Sequence, residues 1–418
     1  MEKRSSWTDG KAIAFTVFLF AGNLKADPRL SWLPIDLTVL AAAVSVLLMA
    51  RMFVKNRFRI PVALFWVCGL FASFLLAVPW TEFTDYAVEK MIKLFSFTWL
   101  CAAAPLFLFK TEEDVRRLLN AIFAVAVLMA ADAILSLIFS GKATYDNGSA
   151  SGITAFGSNT IALGRTTGMA LIWVAFLCME KRMWLPKALA CMGLLVIALV
   201  GSGSRGPLLS TFLVLAMTGV LFYWKKATSM GRFIGAILVV SLVCLYGFTI
   251  VPDEASSRIE EFVSGDFSNS ELMRMKAYEL SWEEIKETPE GTGWGGFATR
   301  INLWPDSTRQ YPHNLVLEVF LEGGWLPGVF LCLVTGIGLW NVYKGAVSAE
   351  GRTLFALLIF VAGNAMVSGD INDNKEFFAF LGLALGFPGI LKKRGEEHNE
   401  RLENGAKEHS FRMFSHLF

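Results

Sequence analysis

The stretch LPKALACMGLLVIALVGSGSRGPLLSTFLVLAMTGVLFY, residues 185–223, decides the fold. It contains two apolar runs, 185–201 and 206–223, separated by one tight turn, Gly201-Ser-Gly-Ser-Arg205-Gly-Pro207. A helix rises 1.5 Å per residue, so runs of this length approach the roughly 30 Å of a bilayer's hydrocarbon core. So short a turn makes them an antiparallel pair and leaves Arg205 near the membrane surface where they meet. A charge in that position is costly and therefore a functional candidate.

The same ruler, applied outward in both directions, divides the chain into about twelve segments. The runs are 11–24, 34–52, 60–79, 91–109, 118–139, 160–179, 185–201, 206–223, 233–251, 325–342, 353–368 and 376–391. Composition agrees: 54% of residues are hydrophobic, 18% are charged and mean hydropathy is +0.50, well beyond a soluble domain. The expected fold class is therefore all-α integral membrane. A net charge of +2 points away from a nucleic-acid partner. All six cysteines fall in apolar runs with no CxxC pair, so they read as packing residues and not as disulfides or metal ligands.

Loop charge gives the sidedness, because Lys and Arg accumulate in cytoplasmic loops. Alternate loops are basic: Arg51, Lys55, Arg57 and Arg59; Lys110, Arg116 and Arg117; Lys181, Arg182 and Lys187; Lys225, Lys226 and Arg232; Lys344 and Arg352; Lys392, Lys393 and Arg394. The loops between them are poorer in cations, and one carries Glu82, Asp85 and Glu89. This pattern predicts an even number of spans with both termini in the cytoplasm. The apolar stretch Ala12–Ala21 follows Glu2, Lys3 and Arg4 and is short; without a small-x-small cleavage site after it, it is expected to be a first helix and not a removed leader. The chain then divides into an N-terminal bundle of spans (1–251), an extracytoplasmic loop (252–324), C-terminal spans (325–392) and a cytoplasmic tail (393–418).

The long outward loop holds most of the candidate chemistry. Ser268-Asn269-Ser270-Glu271 reads as a capping box, so a helix is expected from about Asn269, amphipathic through Leu272, Met275, Trp282 and Ile285 and ended by Pro289 and Gly291. Arg274 lies in its first turns, where the helix dipole already favours an anion; contact with solvent or a lipid headgroup is the competing reading. Gly291-Thr-Gly293-Trp-Gly295-Gly296 satisfies the spacing of a dinucleotide fingerprint but lacks a strand before it, and is read as a turn. His313 is the one histidine outside the tail and stands where the chain returns to the membrane, a suitable place for a base. Next to it, Asn314 either orients it, binds a sugar hydroxyl, or caps a helix behind Pro312.

Arg165 lies a little over one turn into the span that begins near Thr160, on the same outward side as Arg205. Three arginines and one histidine thus converge by topology, and guanidinium groups suit bidentate binding of phosphate oxygens; snorkelling to headgroups is the alternative. Asp370-Ile-Asn-Asp373 has carboxylates but no third ligand, so a solvated turn or a contact to a substrate hydroxyl is preferred over a metal site.

Ser202-Gly-Ser-Arg205-Gly, Arg274 followed by Pro289-Glu-Gly-Thr-Gly293, and Tyr311-Pro-His313-Asn314 leading to Glu322-Gly-Gly together resemble the O-antigen ligase and polymerase family. The resemblance implies a GT-C-like membrane glycosyltransferase in the bacterial inner membrane, acting at its outer face on an undecaprenyl-diphosphate-linked glycan without cofactor or metal. By motif match, Arg205 and Arg274 would bind the donor diphosphate, with Arg165 second to them, and His313 would activate the acceptor hydroxyl; Asn314, Tyr311 and Asp370 are candidates for the acceptor side. A ligase with a lipid A core acceptor, a surface-polysaccharide polymerase and a protein O-oligosaccharyltransferase would share this donor site. A transporter is the reading outside enzymes; it predicts charge near the bilayer midplane reachable from both sides, whereas the polar elaboration here is one-sided.

Overall fold

The computed structural model describes residues 8–140, 152–225, 231, 235 and 269–415. Every regular element among them is helical. In order these are α1 (Gly10–Leu24), α2 (Leu37–Lys55), α3 (Ala63–Phe74), α4 (Asp85–Lys93), α5 (Trp99–Leu108), α6 (Glu112–Ser140), α7 (Thr160–Met179), α8 (Leu185–Gly201), α9 (Arg205–Tyr223), α10 (Asn269–Glu287), α11 (Leu315–Glu318), α12 (Trp325–Lys344), α13 (Ala349–Ala365) and α14 (Lys375–Ser415). The expected run at 233–251, most of the loop through Ser268, and the end of the tail from His416 lie outside the described residues. The described cysteines are free thiols.

Among the described residues, seven helical stretches are long and apolar enough to cross a membrane: Leu37–Lys55, Ala63–Trp80, Asp85–Leu108, Glu112–Phe139, Thr160–Met179, Arg205–Tyr223 and Trp325–Lys344. Gly10–Leu24 and Leu185–Gly201 are shorter apolar helices. Polar caps set several boundaries by supplying acceptors to amides that have no partner within their own helix. Asp9 accepts from Ala12 at the start of α1, Asn159 from Ala162 at α7, and Ser348 from Gly351 at α13. One path crosses as α4, a π-turn over Leu94–Thr98, and α5.

α7 packs on α6, α8 and α9, while α14 packs on α5, α12 and α13. The central core runs through Phe15, Phe18, Phe74, Phe360 and Phe378, all fully buried. Outside it, large apolar side chains face away from the protein, Leu47 and Phe65 at 70% exposure each. Such a surface is stable only in an apolar solvent.

Charges collect at the two ends of the bundle. At one, Lys11 pairs with Asp114 at 2.5 Å, Arg352 with Glu180 at 2.5 Å and Arg394 with Glu112 at 3.1 Å. At the other, the starts of α7, α9 and α14 and the end of α13 meet α10 and the segment 288–314. All the candidate residues lie at this second end.

Candidate functional site

The glycine-rich segment after α10 is a clasp. Thr292 and Gly293 donate backbone N–H groups to Leu321 O (2.9 Å) and Glu322 O (3.0 Å), and Gly295 N donates to Glu322 Oε2 at 2.9 Å. Trp294 is fully buried; its backbone N donates to Thr81 Oγ1 and its indole Nε1 to Phe74 O, both at 3.0 Å. The sequence therefore serves to pin the loop to the α3–α4 junction and to the π-turn Val319–Gly323. Gly293 has φ +81, and a Cβ there would sit 2.4 Å from Thr81 Cα, so only glycine fits.

Beneath the clasp, Lys90 of α4 is fully buried with its ammonium 2.6 Å from Glu318 Oε1 and 2.5 Å from Glu322 Oε2. A buried cation persists only when paired and hydrogen-bonded. Glu318 Oε2 has no hydrogen-bond partner among the described residues, and neither has the Tyr86 hydroxyl, whose ring lies 5.5 Å from the Lys90 ammonium. Burial pushes the Glu318 carboxyl up, against the pull of Lys90.

The loop then turns back through a π-turn at Phe297–Ile301 and is held from within by Gln310. This buried amide places Nε2, with its two hydrogens, 2.8 Å from each of Asn302 Oδ1, Trp304 O and Ser307 O, and its Oε1 accepts from Trp304 N at 2.9 Å. Arg309 reaches the turn between α13 and α14, donating to Asp370 Oδ2 at 2.9 Å and Asp373 Oδ2 at 2.7 Å. Its guanidinium also lies over the Tyr311 ring, 5.5 Å from the centroid.

His313 follows, in a left-handed backbone conformation (φ +57) that is uncommon for a side chain bearing a Cβ. Its ring is 4.5 Å from that of Tyr311 and edge-on to Trp304 at 5.8 Å. Nδ1 is buried with no hydrogen-bond partner among the described residues. Burial, then the positive charge of Arg274, bring the imidazole pKa down to about 4, so at neutral pH the ring is uncharged and keeps a free lone pair.

The arginines arrive from three directions. Arg274 of α10 is near enough to act on His313 electrostatically, and its Nη1 lies 3.4 Å from Val367 O. Arg205, the first residue of α9, is 2.6 Å from Glu271 in the first turn of α10, which ties the two helix starts together. Arg165 donates from Nη1 to Asn374 Oδ1 (3.0 Å) and from Nη2 to Asn364 O (3.0 Å) and Ser368 O (2.8 Å). It thus serves as a clamp on the α13–α14 turn.

Asn314 accepts from Val316 N and Leu317 N, both at 3.1 Å, which makes it the cap of α11. Asp370 is buried; its Oδ1 accepts from Asn372 N and Asp373 N, and its Oδ2 from Arg309. Among the described residues no group of three or more His, Cys, Asp or Glu side chains is placed to hold a metal ion. Sequence reasoning missed Lys90 and Arg309. For Lys90 a signal existed: Glu318 and Glu322 stand four apart, on one helical face, at the brink of an apolar span, and such carboxylates require a cation. Arg309 sits in an irregular loop, where no periodicity marks a partner.

Residues 188–333 match the family model described as O-antigen ligase. The matched stretch holds Arg205, Arg274, the clasp, His313, Glu318 and Glu322, whereas Lys90, Arg165 and Asp370 lie outside it. No curated protein matches the chain.

Proposed function

We propose, on the premise of the O-antigen ligase match, that the chain is an inner-membrane glycosyltransferase moving a glycan from undecaprenyl diphosphate to an acceptor hydroxyl. The reading extends to about twelve spans in a GT-C-like bundle, with both termini cytoplasmic and the His313 end facing outward. The observation that carries it is a neutral, half-buried imidazole with an unengaged ring nitrogen beside a guanidinium.

In this mechanism the His313 imidazole takes the proton of the acceptor hydroxyl as that oxygen attacks the anomeric carbon. The bond from the anomeric carbon to the diphosphate oxygen breaks, and the electron pair leaves with the undecaprenyl diphosphate. Arg274 and Arg205 stabilise the charge growing there, and the single displacement inverts the anomeric centre. Arg165 assists indirectly, by holding the turn on which Arg309 and Arg274 rest. Tyr311 and Asp370 border the acceptor side, and no metal or cofactor takes part. The acceptor is the lipid A core for a ligase or a second lipid-linked repeat for a polymerase.

Reconstitution into liposomes with a lipid-linked glycan and each acceptor tests the reading. His313→Ala is expected to abolish transfer while donor binding survives, and Arg274→Ala to weaken donor binding. Full transfer by the histidine variant removes the general-base assignment. Product analysis separates a lengthened lipid-linked polymer from a glycan on lipid A core.

A further inference from the structure

Two aromatic side chains with polar tips flank His313. Trp304 is half-buried, stacked on the buried Phe297 at 5.8 Å and edge-on to the imidazole at 5.8 Å; Tyr311 lies 4.5 Å from the imidazole. The indole N–H groups of Trp173, Trp294 and Trp325 donate to Asn120 Oδ1, Phe74 O and Ile285 O. That of Trp304 has no acceptor among the described residues, and the Tyr311 hydroxyl has no partner among them either. A half-buried indole joins an apolar body to one polar edge, and that edge ordinarily finds a partner.

We propose that Trp304 is an acceptor-binding residue, its indole N–H donating to a hydroxyl of the acceptor saccharide while its ring and that of Tyr311 hold the sugar beside the His313 imidazole.

This rests on the glycosyltransferase reading and deepens it by placing the acceptor. The main chain of Trp304 is fixed although its indole N–H is unengaged. Gln310 Oε1 accepts from its backbone N–H at 2.9 Å, Gln310 Nε2 lies 2.8 Å from its carbonyl oxygen, and Ser307 N donates to that oxygen at 2.9 Å. Asn302, in a left-handed conformation (φ +47), is held by the same buried amide. A group positioned before its ligand arrives loses little freedom on binding. The other polar side chains nearby are already engaged: Asn314 Oδ1 caps α11, and both Asp370 oxygens accept hydrogen bonds. Arg309, the cation on this side, is bound to Asp370 and Asp373. The uncharged indole and phenol therefore suit a sugar, whose hydroxyls alternate with slightly positive C–H groups that an aromatic ring attracts. A diphosphate would instead seek the guanidinium of Arg274.

Two measurements on the full-length protein in nanodiscs test this. Oxidation of Trp304 by N-bromosuccinimide is mapped by mass spectrometry in the wild type, with core oligosaccharide freed of lipid A or with the sugar repeat freed of its prenyl diphosphate. One of these saccharides is expected to protect Trp304 and to leave Trp282, 49% exposed on α10, reactive. Transfer kinetics are then measured with the intact acceptors. Trp304→Phe keeps a ring and loses the N–H, and is expected to raise the acceptor KM about threefold to tenfold. Trp304→Ala is expected to raise it further, and both variants should keep the donor KM and the acid limb of the wild type. A purely structural role would lower kcat or the unfolding midpoint and leave the acceptor KM in place. An unchanged acceptor KM in Trp304→Phe overturns the proposal, as does an equal rise in donor KM. Failure of both saccharides to protect Trp304 in the wild type overturns it whether or not the variants fold. Protection without transfer by the wild type would remove the transferase reading and leave a saccharide site; transfer without protection would remove the site and leave the reading.

Discussion

Lys90 and Glu318 meet at 2.6 Å with both side chains fully buried, one from α4 and one from the short helix that follows His313. The pair fixes where the segment 288–314 returns to the bundle. Removing one partner of a buried ion pair leaves an uncompensated charge and costs about 3–5 kcal/mol. Lys90→Met is therefore expected to lower the yield of folded protein and its unfolding midpoint in detergent. Lys90→Met/Glu318→Gln/Glu322→Gln is expected to recover much of that loss. A single variant as stable as the wild type would mean that the ammonium is solvated.

The rate should depend on pH in a way set by His313. A base works when neutral, and this imidazole, held at about 4 by burial and by Arg274, stays neutral well below the ordinary histidine value of 6.5. Transfer is expected to be flat from neutral pH down to about 5 and to fall as pH approaches 4. Arg274→Gln removes one of the three depressing influences, leaving burial and Arg309, so the acid limb of its residual activity should move to higher pH, while Arg274→Lys should leave the limb in place. The same depression makes folding stability decline as pH falls from 6.5 toward 4, because the unfolded chain binds the proton first. An acid limb near 6.5 in the wild type would contradict the buried, neutral assignment.

Gly293→Ala should disable the clasp. The added methyl would lie 2.4 Å from Thr81 Cα at a φ of +81, and the expected cost is at least about 2 kcal/mol, seen as a lowered unfolding midpoint. Gly193→Ala, in α8 with nothing within 4 Å of the new Cβ, should be neutral or stabilising by up to about 1 kcal/mol. Equal responses at the two positions would show that the clasp does not bear on stability.

Arg205 and Arg165 should separate by readout. Arg205 sits at a helix start in a partly exposed ion pair with Glu271, so Arg205→Ala should change the unfolding midpoint less than Arg165→Ala does. Its loss should raise the donor dissociation constant about tenfold or more, as expected for a hydrogen bond to a charged group. Arg165→Ala removes its hydrogen bonds to Asn364 O, Ser368 O and Asn374 Oδ1, which clamp the α13–α14 turn, and should lower the midpoint. Labelled lipid-linked donor and a melting assay measure both, and a reversal of the pattern would exchange the roles.

Of the twelve expected runs, seven coincide with helices long and apolar enough to span, and they were legible because bilayer thickness imposes a length and basic residues mark the turns between. Turn length put Arg205 in the short connection between two apolar runs, and it is the first residue of α9. Asn314 stayed open between a cap and a sugar contact because both need the same side chain in the same place, and only the two amide donors at 3.1 Å identify the cap. Lys90 escaped because the expected span began at 91, whereas the helix begins at Asp85 and carries the lysine inward with it. Neither the left-handed backbone at His313 nor the π-turns at Leu94–Thr98 and Val319–Gly323 have a residue pattern that announces them.

Lys90 also constrains the order of biosynthesis. Its second partner, Glu322, is 232 residues further along the chain. At 5–20 residues per second, that carboxylate leaves the ribosome about 12–46 s after the lysine does. Throughout that interval the ammonium has to remain in water or among headgroups, since the bilayer interior offers it no anion. The α4–α5 path is therefore expected to settle to its final depth only when the segment carrying Glu318 and Glu322 folds back. Nascent chains arrested before Glu318 should leave Lys90 reactive toward a water-soluble amine reagent, and chains extended past Gly324 should protect it.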